Sequence, residues 1–313
     1  MNPEDCLPAH LRGPATTITA LTTGLSGAGV YRVDAAGGVF VLKVAGGDVE
    51  LEGWRRRLHV QQLAADAGVA PRIVHVDEGR RAVLSVFVDG PAFAASFMNP
   101  HTRGAALAQL GQTIRRVHEI PLPPGAEPAD PRDTVSATWA GLAGFAVPAF
   151  VADAVERVLA EEPPSSERAP VLSHNDVNPG NLLSDGANLL LVDWDVAGPN
   201  DPFYDLAAIS VFLRMDPVMS RALLAAYDGE PVSSLPLRFA YDRRLVAVLC
   251  GAASLRLAGQ RGHPGAAGGE TIEATPGLGD FYQRMRAGEM SLATGNDGLW
   301  AFGLALVKEG FTA

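Results

Sequence analysis

Up to residue 90 the apolar side chains fall in short runs rich in β-branched and aromatic residues, the pattern of strands packed on a core. Thr16–Leu21 (TTITAL), Gly29–Ala35 (GVYRVDA) and Val39–Val44 (VFVLKV) predict three strands, with Ala35–Gly38 (AAGG) as the hairpin turn between the second and third. A helical pattern follows from about Val49 to Ala67 and stops at Gly68 and Pro71. Arg72–Asp77 (RIVHVD) and Arg81–Gly90 (RAVLSVFVDG) predict two further strands that meet at Glu78–Gly79.

After Gly90 the period changes from two to that of a helix. Arg103–Ile120 places Leu107, Leu110, Ile114 and Val117 on one face. Pro121–Asp133 and Glu161–Pro170 read as loops, with a helix near Pro148–Ala160 between them. Asn188–Asp193 (NLLLVD) reads as a short strand. The remainder reads as helical, broken by the Gly-rich Arg261–Gly269. No internal repeat is visible. The pattern implies an α+β chain whose natural boundary falls near 88–92. A small lobe of antiparallel sheet with one helix (1–90) precedes a larger, mostly helical lobe (91–313).

Composition narrows the class. A chain of 313 residues that is 47% hydrophobic can bury a large core. Cys6 and Cys250 are its two cysteines, too few for a disulfide framework and suggestive of a reducing compartment. The first residues contain no apolar run of the signal-peptide kind. The longest apolar segment, Leu245–Leu255, is about half of what a membrane span needs. The expectation is a soluble, cytoplasmic protein that binds neither membrane nor nucleic acid, the latter because the net charge is −10. That charge is uneven: 9 Lys/Arg against 10 Asp/Glu through residue 90, then 16 against 25. The excess is either a solvated acidic surface or the field that receives a cationic substrate.

Candidate chemistry begins with Gly24–Gly29 (GLSGAG). These glycines run into a strand, VYRV, rather than into the helix that a dinucleotide or Walker loop requires, and the chain has no Gly-Lys-Ser/Thr. A glycine turn between antiparallel strands covers nucleotide phosphates in kinase folds, or is simply a hairpin that needs positive φ. Lys43 stands mid-strand in VFVLKV, one of only two lysines (with Lys308) against 23 arginines. A lysine there supplies a compact positive charge for phosphates. In His174–Leu183 (HNDVNPGNLL), Asp176 can accept a proton from a hydroxyl and Asn181 can offer an amide oxygen to Mg2+. Asp193, in Val192–Asp195 (VDWD), adds a carboxylate for the same ion. Few cysteines and no His pair at ligand spacing argue against zinc. His174 reads as a residue that holds the loop by hydrogen bonds.

These motifs, with Asp201–Ala207 (DPFYDLA), follow one another as they do in the aminoglycoside phosphotransferase and choline kinase families, which the chain resembles from about Ala20 to Leu213. The resemblance implies a two-lobed, protein-kinase-like fold that moves the γ-phosphoryl group of ATP or GTP, with Mg2+, to the hydroxyl of a small molecule such as an amino sugar or amino alcohol. It implies Asp176 as catalytic base, Asn181 and Asp193 as metal ligands and Lys43 as the phosphate-binding lysine. Ser26 and Gly27 fall in the phosphate-covering turn. Val86 and Val88 fall in the segment whose backbone meets the purine. Asp205 becomes a brace of the catalytic loop, and Asp195 a second acid near metal or substrate. Two positions depart from the family. Asn175 replaces the usual glycine before the catalytic Asp. Where an acid should pair with Lys43, the helix reads Arg55, Arg56, Arg57, leaving Glu52, or Glu50, as the nearest candidate. Asp193 is followed by Trp194 and Asp195, and DPFYDLA starts at Asp201, so no segment remains for docking a peptide substrate. The alternative is a nucleotide-binding scaffold of the same fold without catalysis. Tyr282, Trp300 and Phe302 in the C-terminal tail either line the acceptor pocket or pack the helical lobe.

Overall fold

A computed structural model describes residues 2–21, 28–47, 49–293 and 295–312. The turn that holds Ser26 and Gly27 lies outside the described residues. Strands β1 (Thr17–Ala20), β2 (Gly29–Ala35) and β3 (Gly38–Val44) form an antiparallel meander. Ala36 and Gly37 make the turn between β2 and β3, and φ of +120° at Gly37 and +144° at Gly38 explains the glycine pair. After helix α1 (Leu51–Asp66) the chain returns as β4 (Ile73–Asp77) and β5 (Ala82–Val86). The sheet order is β1-β2-β3-β5-β4, antiparallel throughout, so β3 is its central strand.

Alternation along β3 sorts its side chains. Phe40 and Leu42 point to one face, where they join Val33, Ala82 and Leu84 and are covered by Cys6, Leu7 and Leu11 of the N-terminal segment. Lys43 therefore lies on the opposite face. The second half of α1 packs away from this cluster: Val60 and Ala64, with Val69 and Ala70 just beyond, join the core of the helical lobe. A backbone bond from Leu191 to the Val69 carbonyl (2.8 Å) ties the same corner down. At Gly90 the linker presses on the second lobe so closely that a Cβ would lie 1.8 Å from the Ser184 carbonyl oxygen. Glycine is the residue that fits there.

The larger lobe is built from α2 (Phe93–Met98), α3 (Arg103–His118), α4 (Pro131–Ala140), α5 (Ala149–Ala160), α6 (Pro202–Phe212), α7 (Pro217–Asp228), α8 (Leu237–Gln260), α9 (Leu278–Arg286) and α10 (Asn296–Thr312). Leu107, Leu110, Ile114 and Val117 bury the face of α3 that their spacing implied. Helices α8 and α10 approach closely through glycines, since a Cβ on Gly251 would meet Val307 at 2.6 Å and one on Gly303 the Gly251 carbonyl at 2.9 Å. Among the described residues no helix is long and apolar enough to cross a membrane.

One helix corrects a loop reading and another falls where the pattern predicts no element. Helix α4 starts inside Pro121–Asp133: Asp130 caps it by accepting from the Arg132 amide (2.9 Å), and Pro131 occupies the first helical position. The Pro and Asp that looked like loop punctuation are its start signal. Helix α2 is short and is held by Phe93 and Phe97, buried in the lobe's core rather than by any local signal. Between α5 and α6 lie four three-residue strands, β6 (Val171–Ser173), β7 (Leu182–Ser184), β8 (Leu189–Leu191) and β9 (Gly198–Asn200). They pair as β6-β9 and β7-β8 and frame the loop 174–181.

Candidate active site

Strand β6 delivers the loop 174–181 and β7 takes it away. Inside the loop, Asn178 caps a single 3-10 turn, Pro179–Asn181, by accepting from the Gly180 amide at 2.9 Å. The same Asn178 side chain donates to Asp176 Oδ1 (3.0 Å), and Asn181 Nδ2 donates to Asp176 Oδ2 (2.8 Å). Both oxygens of Asp176 are thus aimed by amides from its own loop. Burial pushes the Asp176 carboxyl above its ordinary value, against the opposing pull of those amide bonds and of His174. With Nδ2 of Asn181 committed to Asp176, its Oδ1 is the atom left to face a cation.

The loop is braced from below by Asp205 of α6, which is fully buried. Asp205 Oδ2 accepts from the His174 amide (2.7 Å) and Oδ1 from the Asn175 amide (2.8 Å). His118 of α3 adds its Nε2–H to Oδ2 (3.1 Å), and its Nδ1 meets the Tyr227 hydroxyl (2.9 Å). Burial alone would raise the Asp205 carboxyl. The His118 bond, the nearby imidazoles and the His174 amide outweigh it, and the net direction is downward. His174 is itself buried. Its Nε2–H donates to the Val192 carbonyl (3.0 Å) and its Nδ1 accepts the Asp176 amide (3.3 Å). Those partners select the neutral Nε2–H tautomer, and burial pushes the imidazole below its ordinary value. It holds the frame and faces no reacting atom.

Asn175 occupies φ +63°, a conformation in which Asn is among the tolerated residues. Its side chain also works: Nδ2 donates to the Val196 carbonyl (3.0 Å) and Oδ1 accepts from Asn200 (2.8 Å). The residue that replaces the family's glycine is therefore a strut between the catalytic loop and the segment after Asp193.

Asp193 has φ +68°, rare for a residue with a Cβ. The turn sends Trp194 into the core, where its indole N–H donates to the Leu191 carbonyl (3.0 Å) and its ring stands edge-on to His174 at 4.7 Å. Asp193 and Asp195 come out on either side of it, and both reach Lys43. The ammonium lies 2.6 Å from Asp193 Oδ1 and 2.8 Å from Asp195 Oδ2. Burial works against the Lys43 charge, but the two carboxylates outweigh it and raise the ammonium above its ordinary value.

The donor set suits Mg2+: an amide oxygen of Asn181 and a carboxylate at Asp193 are both hard oxygen ligands, and few, as that ion prefers when phosphate and water complete its shell. Among the described residues no group of three or more His, Cys, Asp or Glu is placed to hold a metal ion.

Glu52 does not reach Lys43. It is exposed on the first turn of α1 and pairs with Arg55 (2.5 Å), which also holds Glu78. A helix that begins at Leu51 turns that acid to solvent, so the expected Lys43–Glu52 pair is corrected: Lys43 pairs with Asp193 and Asp195. At the linker, the Val86 amide donates to the Arg72 carbonyl (2.9 Å) and the Phe87 amide to the Val39 carbonyl (3.0 Å). The Val86 N–H is thereby spent on the sheet, which narrows that expectation to its carbonyl. The tail aromatics pack the lobe: Trp300 stacks on His263 (4.4 Å) and meets Phe145 edge-on, Phe302 packs on Phe281 (5.0 Å), and the Tyr282 hydroxyl donates to the Phe212 carbonyl. Reading the sequence missed the roles of Asn178, Asn200, His118 and Tyr227. Asn178 stood inside the motif and had a cap signal, Asn before Pro-Gly. The other three reach the loop only through folding.

An antiparallel lobe that hangs one lysine over an Asp, Asn and Asp of a helical lobe defines a two-lobed, protein-kinase-like fold of the α+β class. The chain belongs to the phosphotransferase enzyme family (APH), whose sequence model matches residues 17–243. Among solved structures it is similar to a choline/ethanolamine kinase family protein from Mesorhizobium loti, at 21% identity over 96% of this chain and 94% of that one, with a TM-score of 0.61. It is also similar to choline kinase LicA from Streptococcus pneumoniae (16% identity, 87% and 92% covered, TM-score 0.63). A third likeness is to a spectinomycin phosphotransferase solved with ADP and spectinomycin (16% identity, 78% and 82% covered, TM-score 0.54). No curated protein matches by sequence.

Proposed function

We propose that the chain transfers the γ-phosphoryl group of ATP or GTP to a hydroxyl of a small molecule, in the cleft between a nucleotide-covering lobe (1–90) and a catalytic, acceptor-binding lobe (91–313). The observation that carries this reading is a chain of contacts: Asn181 Nδ2 donates to Asp176, the Val192 amide beside Asp193 donates to the Asn181 carbonyl (3.0 Å), and Asp193 reaches Lys43. Asp176, its two oxygens aimed by Asn178 and Asn181, orients the acceptor hydroxyl and takes its proton. Lys43 places a positive charge at the phosphates. Asn181 and Asp193 would hold Mg2+, which when bound neutralises charge on the triphosphate. The carbonyl of Val86 and the backbone of Val88 are the groups proposed to meet the purine, and Ser26 and Gly27, outside the described residues, are proposed to cover the phosphates.

Two features support a small acceptor. Only residues 194–201 separate Asp193 from α6, and part of that stretch is the strand β9. The similar structures include proteins named as choline, ethanolamine and spectinomycin phosphotransferases or kinases, which fits the acidic balance of the second lobe and favours an amino alcohol or amino sugar. The test is Asp176→Asn, assayed against a panel of amino alcohols, amino sugars and neutral sugars. Transfer should fall by about a thousandfold, with nucleotide affinity retained. Equal transfer in variant and wild type would remove Asp176 from the chemistry. A wild type that binds nucleotide but phosphorylates nothing in the panel, while ATP persists unconsumed, would favour the scaffold reading.

A further inference from the structure

The helix that should anchor Lys43 carries no acid able to do so. Helix α1 presents Arg55, Arg56 and Arg57 after its first turn, and Glu52 is exposed and committed to Arg55. A lysine that serves phosphates still needs an anchor, because its four-carbon stem is flexible and its ammonium, partly buried here, loses hydration. The carboxylates that contact Lys43 are those of Asp193 and Asp195, both from the other lobe.

Resting on the function proposed above, we infer that Asp195 is the positioning residue for Lys43 and takes the place of the missing helix acid. Asp193 and Asp195 cannot share that work once Asp193 serves the metal, and Asp195 is the carboxylate that remains. The local build makes the division possible. Positive φ at Asp193 and the buried anchor of Trp194 place residues 193 and 195 on the same side of the chain, 2.6 and 2.8 Å from one ammonium. Lys43 cannot drift to meet them, since it sits in the central strand, in register with Val30 and Val83. The anchor is therefore a tether between lobes: β3 supplies the cation and the segment after β8 supplies the anion. Phosphate positioning in this protein follows the approach of the lobes and is independent of how α1 is set.

The test compares wild type with Asp195→Asn, Asp195→Glu and Glu52→Gln by three readouts. The first is ATP and GTP affinity by calorimetry in EDTA. The second is the same affinity with Mg2+. The third is the rate at which an amine-acylating reagent modifies Lys43 at one fixed pH, read by mass spectrometry with Lys308, the second lysine of the chain, as internal reference. Asp195→Asn should weaken Mg2+-free nucleotide binding about tenfold and raise Lys43 acylation several-fold, and Asp195→Glu should restore part of both. Glu52→Gln should reproduce neither change. Unchanged Mg2+-free affinity and unchanged acylation in Asp195→Asn overturn the inference, as does a loss confined to the Mg2+-dependent part of binding, which would make Asp195 a metal ligand only. Losses equal in Glu52→Gln and Asp195→Asn return the anchor to the helix. If wild type binds neither nucleotide, the proposed function fails, and the acylation arm still decides whether Asp195 holds Lys43.

Discussion

The loop 174–181 and the helix α1 are both rich in polar side chains and use them in opposite ways. In the loop nearly every polar group is spent on another part of the site: Asn178 and Asn181 on Asp176, His174 on Val192, the His174 and Asn175 amides on Asp205. In α1 the charges face solvent and pair locally, Arg55 with Glu52 and Glu78, while the buried residues are Trp54, Val60 and Ala64. The loop is a positioned constellation. The helix is a support that braces the interlobe core and lends the site no charge. A motif dense in short polar residues signals chemistry only where those residues satisfy one another at depth.

Three substitutions probe that contrast, in falling order of effect. Asp205→Ala should do the greatest damage, because it orphans two buried backbone amides and His118. A loss of about 3 kcal/mol in unfolding free energy is expected, together with loss of transfer activity. A pH series sharpens it. The folded-state value of Asp205 is depressed below 3.8, so its stabilisation is fully present above that pH and is lost as pH falls through the depressed value. The gap in urea midpoint between wild type and Asp205→Asn should therefore be constant near neutrality and narrow below pH 3.8. A gap that widened on acidification would show that Asp205 is not held as a carboxylate.

Asn178→Ala is the intermediate case. It removes one of the two amides that aim Asp176 and the cap of the 3-10 turn. The expected result is a fall in kcat of about tenfold, with nucleotide KM little changed. A matching rise in KM with kcat intact would place Asn178 at the nucleotide. Glu52→Gln marks the floor: nucleotide affinity and kcat should stay within about twofold of wild type. A large loss there would erase the contrast between loop and helix.

The loop 174–181 was partly legible because its logic is local. Asp176 and Asn181 lie within six positions with Pro179 and Gly180 setting their spacing, whereas the Asn178 cap of the 3-10 turn between them was missed. The strands were legible for a similar reason, since Gly37 and Gly38, both at positive φ, mark the β2–β3 hairpin. Helix α4 was hidden because Asp-Pro signals a turn and a helix start with the same letters. Helix α2 was hidden because two phenylalanines, buried only once α3 is in place, are what hold it.

By itself the sequence determined the family and fold class and where the lone strand lysine stands, and it supplied the candidates for the proposal: a residue that can take a proton and oxygens that suit Mg2+. Those follow from residue type, spacing and period, which are properties of short stretches. Tertiary structure alone decided who holds whom. It gave Lys43 to Asp193 and Asp195 rather than to Glu52, seated Asp205 under the loop with His118 and Tyr227 behind it, and turned Asn175 from a departure into a strut. Each of those pairs joins residues far apart along the chain. Electrostatic and hydrogen-bond partners at that separation are chosen by which surfaces the core brings together, and no local pattern encodes that choice.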